Sequence, residues 1–443
     1  MQNTPLYNAL IRHKNLGISS FHTPGHKCSQ WLLGKNLLEL DYTELPDTDS
    51  LFEASGAILR AEEEATKLFG TAKTLFSAGG CTLCIQAMIR LCAPCGGKIV
   101  CSRVIHRSAI NTMALLGVDP IWVYPRQDAG EGLAGRTQPS DVAKALSENP
   151  NAKAVYITSP DYFGVISDIR GISLECKKYN VPLIVDNAHG AHLSYVGGDL
   201  HPISKGADMA ACSAHKTLPV LTGGAWLSIS NEDYTANAKS AMALFASTSP
   251  SYPVMASLDL CREWLSERGL IEFNRLETKV LKIKQLAANK GINMPQGLCD
   301  PIRISLNTAS VGISGQDAAK FFRAKGLEPE YADENYVVFI ATPMNTEEDF
   351  ARLEGAINEL PKGAPLEIKP YEVSRNEQAV SARFAVLSET ERLPIEKCEG
   401  RIAAEAACPC PPGVPIVMHG EVINRKSIDC LIKYGVLSLN VLK

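Results

Sequence analysis

In the stretch ACSAHKTLPVLTGGAWL, residues 211–227, a histidine and a lysine stand side by side between an apolar run and a glycine pair. A buried ammonium at Lys216 costs several kcal/mol unless it is paired or neutralised. One chemistry removes that cost: an amine held as an imine to an aldehyde cofactor is no longer a free ammonium, and it gains a task. Upstream, LIVDNAHGAH ends an apolar run in Asp186, with His189 and His192 close behind. A carboxylate at the carboxyl end of a strand can be a cap or a metal ligand. With SAHK downstream a third role is the better one, an acid that keeps a pyridine nitrogen protonated. Finally, FSAGGCTLC opens a helix and offers free backbone N–H groups, with hydroxyl and thiol donors, to an anion. A glycine turn before a helix is weak on its own. An imine lysine, an acid and an anion cradle together describe a pyridoxal-phosphate site.

The elements that must position these residues are legible as alternating patterns from about residue 70. KTLFSA, KIVCS, PIWVY, KAVYIT, PLIVD, DMAACS and AWLSI read as strands, most of them apolar throughout, as strands buried on both faces are. Amphipathic stretches such as TQPSDVAKALSENP and DIRGISLECKKYN lie between several of them. This rhythm predicts an α/β fold with an open, mainly parallel sheet whose site lies beyond the carboxyl ends of its strands. A long helix from about VMASLDL to the glycine of AANKG interrupts it. IRISLN, SGQDAAKFFRAKG, NYVVFIAT and NTEEDFARLEGAINEL then read as a second, smaller α/β layer. The expected division is an N-terminal arm over 1–30, a major cofactor-binding domain over 31–290 and a smaller C-terminal domain over 291–443. The tail from about residue 361 is proline-rich, and CPCPPGVP within it can be neither helix nor central strand.

Composition narrows the partners. The 443 residues are 45% hydrophobic and 21% charged, as in ordinary soluble domains. A net charge of −4 with no basic run gives no footprint for nucleic acid, so a small-molecule partner is expected. No apolar run approaches the ~18 residues that span a bilayer, and the N-terminus lacks the pattern of a signal peptide. No membrane association and a cytoplasmic location are therefore expected. The 14 cysteines read as reduced thiols. Cys81, Cys84, Cys92 and Cys95 have a zinc-like spacing, but an apolar helical stretch separates the middle pair. Eight helical residues set them ~12 Å apart, whereas thiolates on one tetrahedral metal at ~2.3 Å lie within ~4 Å of each other. No metal is expected.

Ten stretches in order carry a resemblance: FHTPGHK, DYTELPDTDSLF, AEEEATKLFG, FSAGGCT, VIHRSAIN, TSPDYFG, VDNAHGAH, SAHKTLPVLT, TSPSYPVMASLD and GRIAAEAACPCPPGVPIVMHGE. Through them the chain resembles, nearly end to end, the short form of the Orn/Lys/Arg decarboxylases. These are fold-type-I pyridoxal-phosphate enzymes that convert lysine, arginine or ornithine to the corresponding amine for polyamine metabolism. The resemblance implies that Lys216 forms the Schiff base and Asp186 pairs with the pyridinium. His106 would stack on the ring, Ala188 would pack its other face, and His189 would lie near cofactor or substrate carboxylate. Ser213 and His215 would reach the phosphate with Gly80, Cys81 and Thr82. A homodimer or higher homo-oligomer is implied, with the site near the subunit interface. The acidic segment holding Asp41, Glu44, Asp47 and Asp49 is then a candidate for meeting the substrate's distal cation, or else a solvated loop. His22 and His26 stay unassigned.

Several positions depart from the family pattern. Gly79, Gly80 and Cys81 stand where asparagine-glycine-threonine is usual, and a thiol donates more weakly than a hydroxyl. Asp161 replaces threonine or asparagine and, if ionised, would repel the cofactor's phenolic oxygen. Gly223 and Gly224 replace threonine-glutamine, and Cys410 replaces a tyrosine. Three other readings follow: a different reaction on the same cofactor, such as an aminotransferase or carbon–sulfur lyase, a non-catalytic cofactor-binding relic, or a cysteine-rich metal or redox protein. An aminotransferase would fork the substrate carboxylate with an arginine, for which Arg383 and Arg401 are candidates.

Overall fold

The computed structural model describes residues 11, 15–28, 37–368, 375–407 and 415–443. After a short strand β1 (Ser19–Phe21), the chain lays down β2 (Lys73–Ser77), β3 (Gly97–Ser102), β4 (Val118–Val123), β5 (Val155–Thr158), β6 (Leu183–Asp186), β7 (Met209–Cys212) and β8 (Ala225–Ile229). The last seven form one sheet in the order β2-β8-β7-β6-β5-β3-β4. All neighbours run parallel except β8, which is antiparallel to both β2 and β7. Every residue of β6, β7 and β8 is buried, which is why these strands read as unbroken apolar runs rather than as alternation.

A helix over Tyr252–Asn289, with a proline at its start, leaves the sheet. Its buried stripe includes Trp264, Leu265, Phe273, Leu276, Val280 and Ile283. Beyond it, β9 (Arg303–Asn307), β10 (Leu327–Pro329), β11 (Tyr331–Ala332) and β12 (Tyr336–Ile340) follow. β9, β12 and β11 form a small antiparallel sheet, and β10 takes β1 as a parallel partner. The long helix joins the two layers, since one apolar cluster runs from Phe76 and Trp226 through Phe273 to Phe322 and Phe339. The proline-rich tail carries regular elements of its own. It contains helices Ala382–Leu387 and Arg425–Lys433 and an antiparallel pair, β13 (Thr390–Pro394) with β14 (Ser438–Leu442). These bury their own core around Ile395, Val417, Ile423, Leu431 and Val441.

A charge clamp ties that unit to the sheet. Just after β3, the Arg103 guanidinium grips the Glu421 carboxylate with two bonds of 2.7 and 3.0 Å, and both side chains are buried. Glu421 also accepts from the Met418 N–H and the Asn376 amide, and Arg103 stacks on Trp122. The two forks are paired and the carboxylate is further satisfied, while the buried Arg103 Nε has no hydrogen-bond partner. Cys81, Cys84 and Cys92 share one unbroken helix, Gly80–Cys92, and Cys95 is exposed beyond it. Cys410 lies outside the described residues.

Candidate active site

The carboxyl ends of β6, β7, β2 and β3 bring together the residues that the sequence singles out. Asp186 is the last residue of β6 and is buried. One oxygen accepts from the Tyr156 hydroxyl at 3.0 Å and the other from the Ala188 N–H at 3.1 Å, which fixes the carboxylate in place. After β7 the chain turns into the short helix Ala214–Thr217, which carries His215 and Lys216. Ser213 Oγ lies 3.3 Å from His215 Nδ1, and the same nitrogen lies 3.1 Å from the Gly224 carbonyl, which accepts its proton.

Lys216 Nζ sits 2.9 Å from His189 Nε2. Burial pushes the Lys216 amine down from its ordinary pKa, while the charges of Asp186 and Glu330 pull it back up. Burial also pushes His189 well down, reinforced by the positive charges of Lys216 and Arg303, so the ring is neutral. Arg303 Nη2 is 3.4 Å from His189 Nδ1. A guanidinium offers hydrogens alone, so Nδ1 accepts. Burial favours the uncharged form of the Lys216 amine that sits against Nε2. A neutral amine is the nucleophilic form.

His106 caps the helix Arg107–Leu116, its Nδ1 accepting from the Ser108 N–H at 3.2 Å. Burial lowers its pKa, opposed by the Asp186 charge and assisted by Lys216, which places it in the same electrostatic cluster. Gly80 opens the helix Gly80–Cys92 with φ of +69°, a conformation that glycine adopts without strain, and donates its N–H to Gly223 at 2.8 Å. No side chain caps this helix start. Cys81 is buried and Thr82 exposed on its first turn. Burial, with the Asp186 charge beside it, raises the Cys81 thiol well above its ordinary pKa, so it stays protonated.

The group that SAHK implies can be tested against these observations. An uncapped helix start provides orphan N–H groups for a phosphate. The Thr217 hydroxyl, next to Lys216, is buried without a partner. The buried Lys216 amine and the fixed Asp186 carboxylate complete the set. The residues present fit pyridoxal phosphate.

Other expected residues go elsewhere. His192 pairs with buried Asp300 at 3.0 Å and stacks on Phe273. Asp49 spends its carboxylate on the backbone N–H groups of Ser50, Ser55, Gly56, Ile58 and Leu59, so it is a helix cap rather than a free anion. Asp41, Glu44 and Asp47 are exposed. Arg401 binds Glu391, and Arg383 lies near Gly117. The arginine that reaches the cluster is Arg303, held from behind by Asp300 and donating to the Tyr162 carbonyl at 3.1 Å. Asp161 turns Oδ1 onto the N–H groups of Phe163 and Val165, at 2.9 and 2.8 Å, and burial raises its pKa to about 6.

Sequence reasoning missed Arg303, Tyr156, Tyr162 and Glu330. The Tyr162 ring lies 4.9 Å from the His189 ring, and its hydroxyl donates to Glu330 at 2.6 Å. The N-terminal FHTPGHK segment closes over this side. Gly25 donates to the His215 carbonyl at 2.7 Å, and a side chain at Gly25 would come within 2.6 Å of the Leu218 carbonyl oxygen. His22 and His26 make local turn bonds, to the Thr23 carbonyl and from the Cys28 N–H. Among the described residues no helix is long and apolar enough to cross a membrane. Nor, among them, are three or more His, Cys, Asp or Glu side chains grouped so as to hold a metal ion.

Comparison with known proteins assigns this architecture. Residues 4–296 match the family pattern described as "Orn/Lys/Arg decarboxylase, major domain", and 368–435 match its C-terminal domain. The arginine decarboxylase of Bacillus subtilis is 30% identical over 97% of this chain and 93% of its own length. That of Bacillus cereus is 32% identical over 94% of this chain and 96% of its own. The lysine decarboxylase of Francisella novicida superposes with a TM-score of 0.79 at 17% identity, covering 93% of this chain and 75% of the other. Lysine decarboxylase A of Pseudomonas aeruginosa does so at 0.77 and 18%, covering 99% and 80%. The chain belongs to the Orn/Lys/Arg decarboxylase family, whose members are pyridoxal-phosphate-dependent amino-acid decarboxylases.

Proposed function

We propose that this chain removes the carboxylate of a basic amino acid, lysine, arginine or ornithine, and releases the corresponding amine for polyamine metabolism. The reading extends to a cytoplasmic homodimer or higher homo-oligomer, with an arm over 1–30, a major domain over 31–290 and a smaller domain over 291–443. The observation that carries it is the buried Lys216 amine at hydrogen-bond distance from His189, in a cluster with Asp186 and His106.

Lys216 would hold pyridoxal phosphate covalently, Asp186 would face its ring nitrogen, and His106 and Ala188 would flank the ring. Gly80, Cys81, Thr82, Ser213 and His215 would meet its phosphate. When bound, the cofactor supplies a sink for the electron pair that departing carbon dioxide leaves on Cα. The protein's own work is then in placing charge and protons. Asp186, immobilised by Tyr156 and the Ala188 N–H, presents fixed negative charge with no reorganisation needed during reaction. His189 Nε2 and Lys216 Nζ, 2.9 Å apart, would relay a proton to the amine, from which it would pass to Cα after carbon dioxide has left. One proton is consumed per carbon dioxide released, and the product carries one carboxylate fewer than the substrate.

The test is an absorption spectrum with pyridoxal phosphate, borohydride trapping of the cofactor, and mass-spectrometric detection of amine from lysine, arginine and ornithine separately. The wild type is expected to trap the cofactor on Lys216 and to make cadaverine, agmatine or putrescine, and Lys216→Ala is expected to do neither. Trapping without amine from any of the three would refute the decarboxylase reading and keep the cofactor site. Equal trapping in Lys216→Ala would remove the lysine assignment.

A further inference from the structure

The helix that carries Lys216, Ala214–Thr217, is a single turn. Around it the Lys216 N–H reaches the Ser213 carbonyl at 3.1 Å, and the Leu218 N–H reaches the Ala214 carbonyl at 2.9 Å. The next bond of the series would run from residue 219 to the His215 carbonyl, but residue 219 is proline and has no N–H to give. Leu218, the residue before that proline, is extended, with φ of −116° and ψ of 160°, so the turn stops there. A lone turn fixes several dihedrals for little hydrogen bonding and is not stable by itself. The carbonyl next to Lys216 therefore needs a donor from elsewhere in the chain.

The N-terminal segment provides it: the Gly25 N–H donates to the His215 carbonyl at 2.7 Å. The approach leaves no room for a side chain. A Cβ at Gly25 would lie 2.6 Å from the Leu218 carbonyl oxygen, 2.8 Å from the Leu218 nitrogen and 2.9 Å from the Thr217 carbonyl carbon, all of them main-chain atoms. On its other side the segment is anchored in the second layer. Ser19–Phe21 pairs in parallel with Leu327–Pro329, and the Phe21 ring sits edge-on against Phe339 and Phe350, at 5.8 Å from each. Asn345 donates to the Ser20 carbonyl at 3.0 Å and the Lys27 ammonium to the Ile340 carbonyl at 3.1 Å. The buried Thr342 hydroxyl donates to the Gly25 carbonyl at 2.8 Å, so the two main-chain groups of Gly25 are bonded one to each layer.

Resting on the assignment of Lys216 as the cofactor lysine, we propose that Gly25 is a positioning residue for Lys216 and that the segment Ser19–Cys28 is the strap that completes its turn. The strap supplies the hydrogen bond that Pro219 withholds, and it does so from an anchor in the second layer. With the strap seated, the turn has one arrangement and the amine meets the incoming aldehyde from a fixed point. With it displaced, the His215 carbonyl loses its donor and Lys216 loses its place. Misplacing a reacting group by about 1 Å costs up to about 100-fold in rate. The part of FHTPGHK that acts on Lys216 is then the main chain of its glycine, while His22 and His26 serve the local turn bonds described above.

The experiment strips the full chain of cofactor, mixes it with pyridoxal phosphate, and follows attachment by absorption and by borohydride trapping with peptide mapping, beside urea unfolding of each variant. Gly25→Ala is expected to attach cofactor to Lys216 about ten- to 100-fold more slowly than the wild type. Thr342→Val, nearly isosteric and short only of the hydroxyl that holds Gly25, is expected to slow attachment by about three- to tenfold, the loss of one hydrogen bond. Rescue separates this role from a general loss of structure. Pro219→Ala returns an N–H to residue 219 and lets the turn continue, so the fold-loss from Gly25→Ala should be at least about threefold smaller in that background. Attachment at the wild-type rate in a folded Gly25→Ala would overturn the proposal, and so would the same fold-loss with and without Pro219→Ala. If Gly25→Ala does not fold, Thr342→Val decides, and the wild-type rate there overturns the proposal. A wild type that traps cofactor on a lysine other than Lys216 sinks the assignment on which the strap's role rests. Trapping on Lys216 at one rate in wild type and Gly25→Ala sinks the strap's role alone.

Discussion

Replacing Asp161 by asparagine should make this protein more stable at neutral pH and leave it unchanged in acid. The carboxyl is 7% exposed, and burial lifts its pKa from an ordinary 3.8 to about 6, against the pull of two backbone N–H groups and of Arg303 and Arg136. The folded state therefore holds the Asp161 proton more tightly than the unfolded chain does. Its favourable contribution is complete below about pH 4 and is lost as pH rises through about 6. A shift of about two units at 1.36 kcal/mol each corresponds to about 3 kcal/mol that the ionised carboxylate forfeits by pH 7.5. Asparagine retains the Oδ1 acceptor for Phe163 and Val165 and carries no charge to desolvate. The measurement is urea unfolding of the apoprotein, wild type and Asp161→Asn, at half-unit steps from pH 4 to pH 8. The two stabilities should coincide near pH 4 and diverge to about 3 kcal/mol in favour of the variant by pH 7.5. Parallel profiles would refute the reasoning, since they would mean that Asp161 has the same proton affinity folded and unfolded. A variant less stable at pH 7.5 would show that the N–H donors and arginines outweigh desolvation.

Two further outcomes are expected. Cys81→Thr should tighten cofactor binding by about three- to tenfold, because a hydroxyl donates to phosphate more strongly than the protonated thiol now in that turn; equilibrium titration of the apoprotein checks it, and unchanged affinity would remove Cys81 from the phosphate turn. Glu421→Gln should cost about 3–5 kcal/mol in unfolding free energy, the range for leaving a buried charge such as Arg103 uncompensated. Pairing it with Arg103→Met should recover at least half of the loss, and a single-variant cost below about 1 kcal/mol would mean that the clamp is hydrated.

The fold was readable where burial is two-sided. β5 (VYIT) and β6 (LIVD) are apolar up to their last residue because both faces are covered, and few arrangements besides a covered parallel sheet produce such short apolar runs in series. Lys216, Asp186, His106 and Gly80 were legible because each follows or ends a strand, so the sheet topology delivers them to one edge. Arg303 carried a signal in its own strand: it is the one charge in RISLN, a strand otherwise fit for the core, and a buried charge in such a strand needs a partner. Glu330 carried none. In LEPEYADE it is one acid among several, and only the pairing of β1 with β10 brings Thr23 to it from 307 positions away. The same limit explains Asp49, whose role as a cap depends on a positive φ that reading residue types does not reveal. The elements of the tail had no local signal, because their order comes from contacts such as β13 with β14 that no local window contains.

The Arg103–Glu421 clamp joins positions 318 residues apart, the first only three residues before His106. During synthesis the sheet strands and Lys216 leave the ribosome long before Glu421 exists. Until it does, the Arg103 guanidinium has no carboxylate to enter the interior with, so the loop that carries His106 has reason to stay open to water. Closing so long a loop is slow and entropically costly, which makes it a late event. The clamp therefore forms only once the segment that carries Glu421 has emerged, and a chain terminated before it is left without this contact.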